Sequence, residues 1–224
     1  MAEAYIVRHG QASFGSANYD KLSPLGVRQS VWLGEYFRAQ NIEFGHILTG
    51  KLVRHHETAL AICQGLGTDQ CEFDTHAGLN EFAFEGLARS YLSAHPEEKL
   101  PPKPSVADFY KLLKKALSAW SRNEVTNVDE TWQDFETRVQ DALAYLQALN
   151  NKRRVLVVTS GGAMGMMTKL VLKTPAEMMI EINLQTKNTG LMHFFFNDQN
   201  IRLASFNETP HLEPFGRQDS VTYS

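Results

Sequence analysis

The sequence predicts an α/β fold of three layers, α/β/α, with a mostly parallel central sheet that includes an antiparallel strand, plus a helical insertion. Within the first 65 residues, short β-forming segments alternate with amphipathic helical ones, which is the pattern of parallel strands joined by crossover helices. Near the end of the chain, two strand-like segments at roughly 189–196 and 201–206 are separated only by polar residues 197–200. That spacing predicts an antiparallel hairpin.

The first strand is predicted at residues 4–7, an apolar run that stops at Arg8-His9-Gly10. A buried strand delivers polar side chains to its carboxyl end in this way. Ser23-Pro24 is typical of the N-cap and first position of a helix, which we expect to end near residue 40. A short strand around 46–48 and a helix from about residue 52 to 64 continue the alternation.

The middle of the chain lacks a convincing strand from about residue 85 to 150. Ser105 and Thr131 are each followed by an aspartate three residues later, which predicts two helices with capping boxes. We interpret about 85–130 as a helical insertion within a single domain that spans 1–224. The return helix would stop at Asn150-Asn151.

Residues 154–159 form the strongest strand signal, and Ser160-Gly161-Gly162 then leads into a helix through about Leu172. Candidate functional residues therefore follow several predicted strands. In open α/β sheets, ligands bind outside the carboxyl ends of the strands. We expect four features to meet there: Arg8-His9-Gly10, Arg54, Glu81 and the turn at 160–162.

Composition limits the possible classes of protein. Apolar residues make up 43% of the 224 positions, enough for a large core without disulfides or a structural metal. A net charge of −3 and an isoelectric point near 6.2 argue against a general nucleic-acid binder. No apolar run approaches the ~18 residues of a membrane helix, and the N-terminus lacks the features of a signal peptide. These observations predict a cytoplasmic protein without membrane contact, and they leave its oligomeric state open.

The two cysteines, Cys63 and Cys71, allow two readings. A disulfide between them is conceivable, but a cytosolic protein favours buried thiols. The eight histidines show neither an H-E-x-x-H motif nor Cys/His ligand spacing, so we expect no metal site and no other cofactor.

The Arg8-His9-Gly10 triplet suits phosphate chemistry. An arginine beside a histidine disfavours the imidazolium and keeps the ring neutral and nucleophilic. The guanidinium binds phosphate oxygens in pairs, and the amide of a glycine can face an anion. By itself, such a triplet arises easily by chance, and a solvent-facing histidine on a turn explains it better.

Further segments extend the pattern. Residues 6–10 (IVRHG) and 22–29 (LSPLGVRQ) resemble the opening of the phosphoglycerate-mutase-like branch of the histidine phosphatase superfamily. Residues 49–59 (TGKLVRHHETA) resemble that family's S-x-L-x-R-x-x-Q-T-A segment, and 79–86 resemble its L-x-E…E-G stretch. Residues 157–162 (VVTSGG) stand in the place of V-S-H-G. The resemblance covers roughly residues 4–172 in order and spacing.

This resemblance implies a cofactor-independent phosphomonoesterase that acts through a phosphohistidine on His9. Its substrate would be a small phosphorylated metabolite or a phosphoprotein. Glu81 would protonate the leaving oxygen and later accept a proton from water. By spacing alone, Arg54 forms an i,i+3 pair with Glu57, and Glu81 is a solvated loop carboxylate. The phosphate-binding residues that the resemblance implies are Arg8, Arg54, Ser160 and Gly161.

Ser160 departs from the family pattern, which has a second histidine at this place to bind the transferring phosphoryl group. Losing one charge-assisted contact is worth roughly 1.5–3 kcal/mol, although the amides that follow Ser160 partly compensate. We expect His55 and His56 to face off their helix, since adjacent helical residues cannot both enter one pocket. The departure keeps a second hypothesis open, a catalytically weak or inactive relative that binds a phosphorylated ligand or protein. It disfavours a mutase, which must retain its phosphoryl group.

Three peripheral features have alternative interpretations. His211 either approaches the site or is structural. Lys111, Lys114 and Lys115 are read as a solvated helix face in preference to a contact with an anionic substrate. The side chains expected at the entrance of the pocket are Gln11, Ser13 and Phe14.

Overall fold

A computed structural model describes residues 1–13, 20–68, 71–98 and 100–223. Phe14 therefore lies outside the described residues. The strands are β1 (Ala2–Arg8), β2 (His46–Thr49), β3 (Asp74–Thr75), β4 (Arg154–Thr159), β5 (Leu191–Phe196) and β6 (Ile201–Glu208). They form a six-stranded sheet in the order β3-β2-β4-β1-β5-β6. Only β5 runs antiparallel to its neighbours, β1 and β6.

Seven α-helices in the described part of the chain cover the sheet. They are α1 (Pro24–Ala39), α2 (Val53–Leu66), α3 (Phe84–Ala94), α4 (Val106–Ser121), α5 (Trp132–Ala148), α6 (Gly161–Leu172) and α7 (Ala176–Gln185). Short 3-10 turns lie at Ala77–Leu79, Pro210–Leu212 and Gln218–Ser220. Helices α1 and α2 pack on one face of the sheet and α3 to α7 contribute to the core on the other, which confirms the three-layer α/β prediction.

Two hydrophobic cores follow from the alternation of side chains along each strand. On β1, Ile6 faces the larger core with α3 to α7, and Val7 faces the smaller core with α1 and α2. On β4, Val157 and Val158 divide in the same way. Strands that are buried on both faces read as continuous apolar runs, which explains why β1 and β4 are so visible in the sequence.

The strand register aligns the ends that carry polar residues. Arg8 at the end of β1 pairs with Thr159 at the end of β4, and Val158 of β4 pairs with Thr49 of β2. The segments that follow these three strands therefore leave the sheet side by side. The candidate site forms at these carboxyl ends of β1, β4 and β2.

Most predicted elements are confirmed, because local signals specify them. The Ser23 hydroxyl accepts a hydrogen bond from the Gly26 amide at 3.0 Å, and both Ser105 and Thr131 form capping boxes. The late hairpin is confirmed as β5 and β6. Helices α3 and α4 fill the stretch interpreted as an insertion, while its description as part of a single domain stays a prediction.

The sequence patterns did not predict helix α7 or strand β3. Helix α7 follows Pro175 without any side-chain cap and buries only Met179 and Ile180, so it shows neither a start signal nor a long apolar stripe. Strand β3 consists of two exposed residues that pair with β2 at the sheet edge. Neither one has the hydrophobic periodicity that reveals a helix or strand in a sequence.

The expectation of free thiols is wrong. Cys63, in the last turn of α2, and Cys71, beyond that helix, form a disulfide with their Cα atoms 5.9 Å apart. The helix ends at Gly67, whose left-handed backbone (φ 78°) turns the chain at that point. Sequence spacing does not show such a reversal, and the cytoplasmic location that favoured thiols stays a prediction.

Helices α1 and α2 cross with their backbones in contact at two glycines. A Cβ atom on Gly34 of α1 would lie 2.1 Å from the carbonyl oxygen of Ile62. A Cβ on Gly65 of α2 would lie 2.1 Å from the carbonyl oxygen of Val31. Because both obstacles are backbone atoms, a side chain could be accommodated only by moving one helix away from the other.

We predict that Gly34→Ala lowers the free energy of unfolding by about 2 kcal/mol or more, because the added methyl overpacks this crossing. Thermal and urea denaturation measure the effect. Gly45→Ala is the matched control, since its Cβ would meet nothing closer than 3.8 Å. Equal stability of the two variants would contradict the described crossing.

Candidate active site

His9 follows β1 directly and has only 4% of its surface exposed. Its Nδ1 atom lies 2.8 Å from the carbonyl oxygen of Gly10, and a carbonyl can only accept, so Nδ1 carries the proton. Its Nε2 atom accepts a hydrogen bond from Nε of Arg54 at 3.1 Å. The ring is therefore a neutral imidazole with its lone pair on Nε2.

Electrostatics keep this ring neutral. Burial holds the pKa of His9 well below its ordinary value, and the positive charges of Arg54 and Arg8 lower that pKa further. All three effects disfavour the imidazolium. The structure thus excludes a solvent-facing histidine, the alternative that the triplet alone left open.

Arg54, in the first turn of α2, is 9% exposed and lies beside His9. Its Nη1 donates to Oδ1 of Asp20 at 2.7 Å, and the other carboxylate oxygen of Asp20 accepts from the Val53 amide at 2.9 Å. The Glu57 carboxylate, the partner that spacing alone suggested for Arg54, accepts from the Leu22 amide at 2.7 Å. Nothing in the sequence pointed to Asp20, which lies 34 positions before Arg54.

Arg8 lies at the end of β1 and reaches toward the last part of the chain. Its Nη1 donates to the carbonyl of Tyr223 at 2.9 Å and also to the carbonyl of Thr186. A Cβ atom on Gly161 would lie 3.5 Å from Nε of Arg8, so this guanidinium runs alongside the first residue of α6. The C-terminal segment therefore borders the same site.

Glu81 lies opposite the start of α6. Its two carboxylate oxygens accept from the amides of Phe82 and Gly162, each at 3.1 Å. The loop that carries it is held by Arg138 of α5, which donates to the carbonyl of Asn80 at 2.8 Å. Glu81 is therefore not a freely solvated loop carboxylate but a positioned one at a helix N-terminus.

Ser160 and His55 are both fully buried, and their Oγ and Nε2 atoms are 2.7 Å apart. The centroid of the His55 ring is 5.7 Å from that of His9. The expectation that His55 faces off its helix is wrong: it is His55 that enters the site, while its neighbour His56 packs against Phe73 with ring centroids 5.0 Å apart. The orientation of α2 on the sheet decides which of the two points inward.

His211 is buried and bonded to the loop that contacts the triplet. It is 1% exposed, and its Nε2 lies 2.8 Å from the hydroxyl of Thr189. Burial, followed by the charge of Arg217, lowers the pKa of His211 to about 3. The Thr189 amide donates to the carbonyl of Arg8 at 3.0 Å, and the Asn188 side chain donates to that of His9 at 3.2 Å. The loop that contains Asn188 and Thr189 therefore holds the backbone carbonyls of Arg8 and His9 in place.

Other residues that the sequence singled out have structural partners. The Gln11 side chain accepts from the hydroxyl of Ser23 at 2.8 Å, and the Ser13 hydroxyl donates to the carbonyl of Leu22 at 2.9 Å. Lys114 pairs with Glu181, and Lys115 with Glu98, on an exposed surface. Across the described ranges, no group of three or more His, Cys, Asp or Glu side chains is arranged to hold a metal ion.

Thr58 and Thr159 are further members that the sequence did not reveal. The Thr58 hydroxyl accepts from the Gly10 amide at 3.1 Å, which ties α2 to the backbone beside His9. The Thr159 hydroxyl donates to the carbonyl of Leu79 at 2.6 Å, just before the Glu81 loop.

Among the helices of the described chain, none is long and apolar enough to span a membrane.

The sequence matches a known family. The sequence profile of the histidine phosphatase superfamily, branch 1, matches residues 4–209. The chain belongs to this superfamily.

Individual relatives are distant but extend over most of the chain. A probable phosphoglycerate mutase GpmB of Salmonella choleraesuis is 24% identical over 211 residues, which cover 88% of this chain and 86% of the relative. A putative α-ribazole-5'-P phosphatase from Escherichia coli aligns with a TM-score of 0.67 and 19% identity, covering 93% of this chain and 97% of the other. A mycobacterial glucosyl-3-phosphoglycerate phosphatase aligns with a TM-score of 0.64 and 20% identity, covering 93% and 100%.

We predict that Arg54→Gln raises the pKa of His9 toward its ordinary value of 6.5, because burial, the largest cause, remains but the larger of the two charge effects is removed. NMR titration of protein labelled at histidine Cε1 reports this pKa. Arg54→Lys is the control, since it retains the charge and should leave the titration closer to wild type. A His9 resonance that titrates identically in all three proteins would contradict the assignment.

Proposed function

We propose that this chain is a phosphomonoesterase that acts through a phosphohistidine on His9, with a small phosphorylated metabolite as its substrate. The observation that carries the proposal is the state of His9. Its proton is on Nδ1, its lone pair is on Nε2, and the adjacent guanidinium of Arg54 bonds to that same nitrogen. A neutral nucleophile next to a fixed cation is what attack on a phosphate dianion requires.

In the first step, the Nε2 lone pair of His9 forms a bond to phosphorus while the bond from phosphorus to the ester oxygen breaks. Glu81 donates a proton to the leaving oxygen, which departs as an alcohol. In the second step, water attacks phosphorus, Glu81 takes a proton from that water, and the P–N bond breaks. Inorganic phosphate is released, and His9 and Glu81 return to their starting states.

The phosphoryl oxygens would be bound by the guanidinium groups of Arg8 and Arg54 and by the Ser160 hydroxyl. The backbone amide of Gly161, at the first turn of α6, adds a donor and the positive end of the helix dipole. Arg54 would exchange its bond to His9 for one to the substrate, while Asp20 holds its other end in place.

The names of similar proteins favour a metabolite as the substrate. The E. coli structure is described as an α-ribazole-5'-P phosphatase and the mycobacterial one as a glucosyl-3-phosphoglycerate phosphatase. Both names refer to small phosphorylated molecules. We propose the same class here, with helices α3 and α4 and their loops providing the specificity that such scaffolds place outside the common site.

A catalytically weak or inactive phosphate-binding relative is the second candidate, and one observation favours it. Ser160 supplies no positive charge where the superfamily has a second histidine. A mutase is the least favoured reading, because such an enzyme must retain the phosphoryl group for a second transfer.

The first test is hydrolysis of p-nitrophenyl phosphate between mildly acidic and neutral pH. We expect wild type to exceed a His9→Ala variant by at least about a thousandfold in kcat/KM, because the covalent route is then closed. Release of p-nitrophenol that is equal in the two proteins would rule out this phosphatase mechanism and leave the binding function.

The second test traps the intermediate with Glu81→Gln. The nitrophenol leaving group needs little protonation, whereas hydrolysis of the phosphohistidine needs a base. We therefore expect a burst of about one nitrophenol per enzyme followed by slow turnover, and a mass gain of about 80 Da on the peptide that contains His9. A burst without this mass gain, or a gain on another peptide, would contradict His9 as the nucleophile.

A further inference from the structure

The contact between His55 and Ser160 is the most unusual feature of the site. It joins α2 to the start of α6 through two side chains that have no exposed surface. Ser160 is the N-cap residue of α6, yet its hydroxyl makes no capping bond to that helix. The hydroxyl is therefore available for a role other than capping the N-terminus of α6.

The direction of the hydrogen bond depends on which nitrogen of His55 carries its proton. The other ring nitrogen, Nδ1, is buried and has no hydrogen-bond partner among the described residues. Gly50 packs against it so closely that a Cβ atom on Gly50 would lie 2.2 Å from Nδ1. A hydrogen of the Gly50 Cα therefore points at this nitrogen.

Such packing selects one tautomer. A proton on Nδ1 would meet the Gly50 hydrogen and would also be a buried donor without an acceptor, which costs more than an unused lone pair. Burial first, and the charge of Arg54 second, hold the pKa of His55 well below its ordinary value, so the ring is not doubly protonated. The single proton is then on Nε2, and His55 donates to Oγ of Ser160.

This donation determines what Ser160 can do. Its oxygen accepts from His55, so its own hydrogen is directed elsewhere. Strands β1 and β4 pair directly, with Arg8 in register with Thr159. The next residues, His9 and Ser160, therefore leave these two adjacent strands side by side. The centroid distance of 5.7 Å between the rings of His55 and His9 places the pair next to the proposed nucleophile.

We propose that His55 is a positioning residue that orients the Ser160 hydroxyl as a hydrogen-bond donor to the transferring phosphoryl group. Together, the two side chains occupy the role of the second histidine that the superfamily pattern has at position 160. In this proposal, a histidine from α2 and the serine at the start of α6 together take the place of a single histidine side chain. This inference rests on the proposed function, since it concerns the same phosphoryl pocket.

The pair differs from a single histidine in a way that can be measured. It presents a neutral hydroxyl, so it adds a directed donor but no positive charge. Removing either partner should have the same effect, because the donor is lost if the serine is absent and misdirected if the histidine is absent.

The test compares four variants with wild type: His55→Leu, His55→Gln, Ser160→Ala and the double variant His55→Leu/Ser160→Ala. Two quantities are measured for each, kcat/KM for p-nitrophenyl phosphate and the Kd for vanadate, which mimics the transferring phosphoryl group without turnover. His56→Leu is the matched control, because it alters a histidine of the same helix turn that packs against Phe73 outside the pocket.

We expect His55→Leu and Ser160→Ala each to weaken vanadate binding and kcat/KM by about tenfold, the value of one hydrogen bond. The double variant should also lose about tenfold, not the hundredfold of two independent contacts. His55→Gln should stay within about threefold of wild type, because its side-chain amide can donate to the serine as Nε2 does. His56→Leu should leave both quantities unchanged.

Several outcomes would overturn the proposal. They are multiplicative losses in the double variant, an effect of His55→Leu no larger than that of His56→Leu, or a wild-type protein that fails to bind vanadate. If His55→Leu does not fold, then a loss in Ser160→Ala that His55→Gln does not share still supports the proposal, while equal losses in those two variants contradict it. Coupled losses of vanadate affinity in a protein without phosphatase activity would reject the proposed function and support the inference.

Discussion

The hydrogen bond between Nδ1 of His9 and the carbonyl of Gly10 is the constraint on which the candidate site depends. It orients the ring so that Nε2, the nitrogen with the lone pair, faces Arg54. The bond is local, but it has this consequence only because the backbone at Arg8 and His9 is held from both sides. Thr189 and Asn188 hold it through its carbonyls, and Thr58 binds the amide of Gly10.

Burial and the positive charges of Arg54 and Arg8 all lower the pKa of His9. His211 is also buried and has a lowered pKa, but it bonds to Thr189 and lies behind the site. His9 has two guanidinium groups nearby and belongs to the edge where three parallel strands end. The same low pKa thus accompanies a structural role in one residue and a proposed nucleophilic role in the other, and only the surroundings separate them.

The interpretation of Ser160 depends on its contact with His55. In the sequence, it stands where the resemblance to the family pattern leads us to expect a second histidine and therefore a positive charge. In the structure it is bonded to an imidazole that arrives from a different helix. In our proposal this pair supplies a directed donor but no positive charge, so the phosphoryl group would depend more heavily on Arg8 and Arg54.

Much of this protein was determined by the sequence alone, because the signals are local. Apolar runs specify β1 and β4, capping residues specify the starts of α1, α4 and α5, and the order of motifs identifies the superfamily. Tertiary structure alone decided which residues meet across long separations: Asp20 with Arg54, Cys63 with Cys71, and His55 with Ser160. The rotation of α2 about its own axis turns His55 inward and His56 outward. That rotation is set by packing against the sheet and α1, where Gly34 and Gly65 allow the helices to touch, and no periodicity along the chain records it.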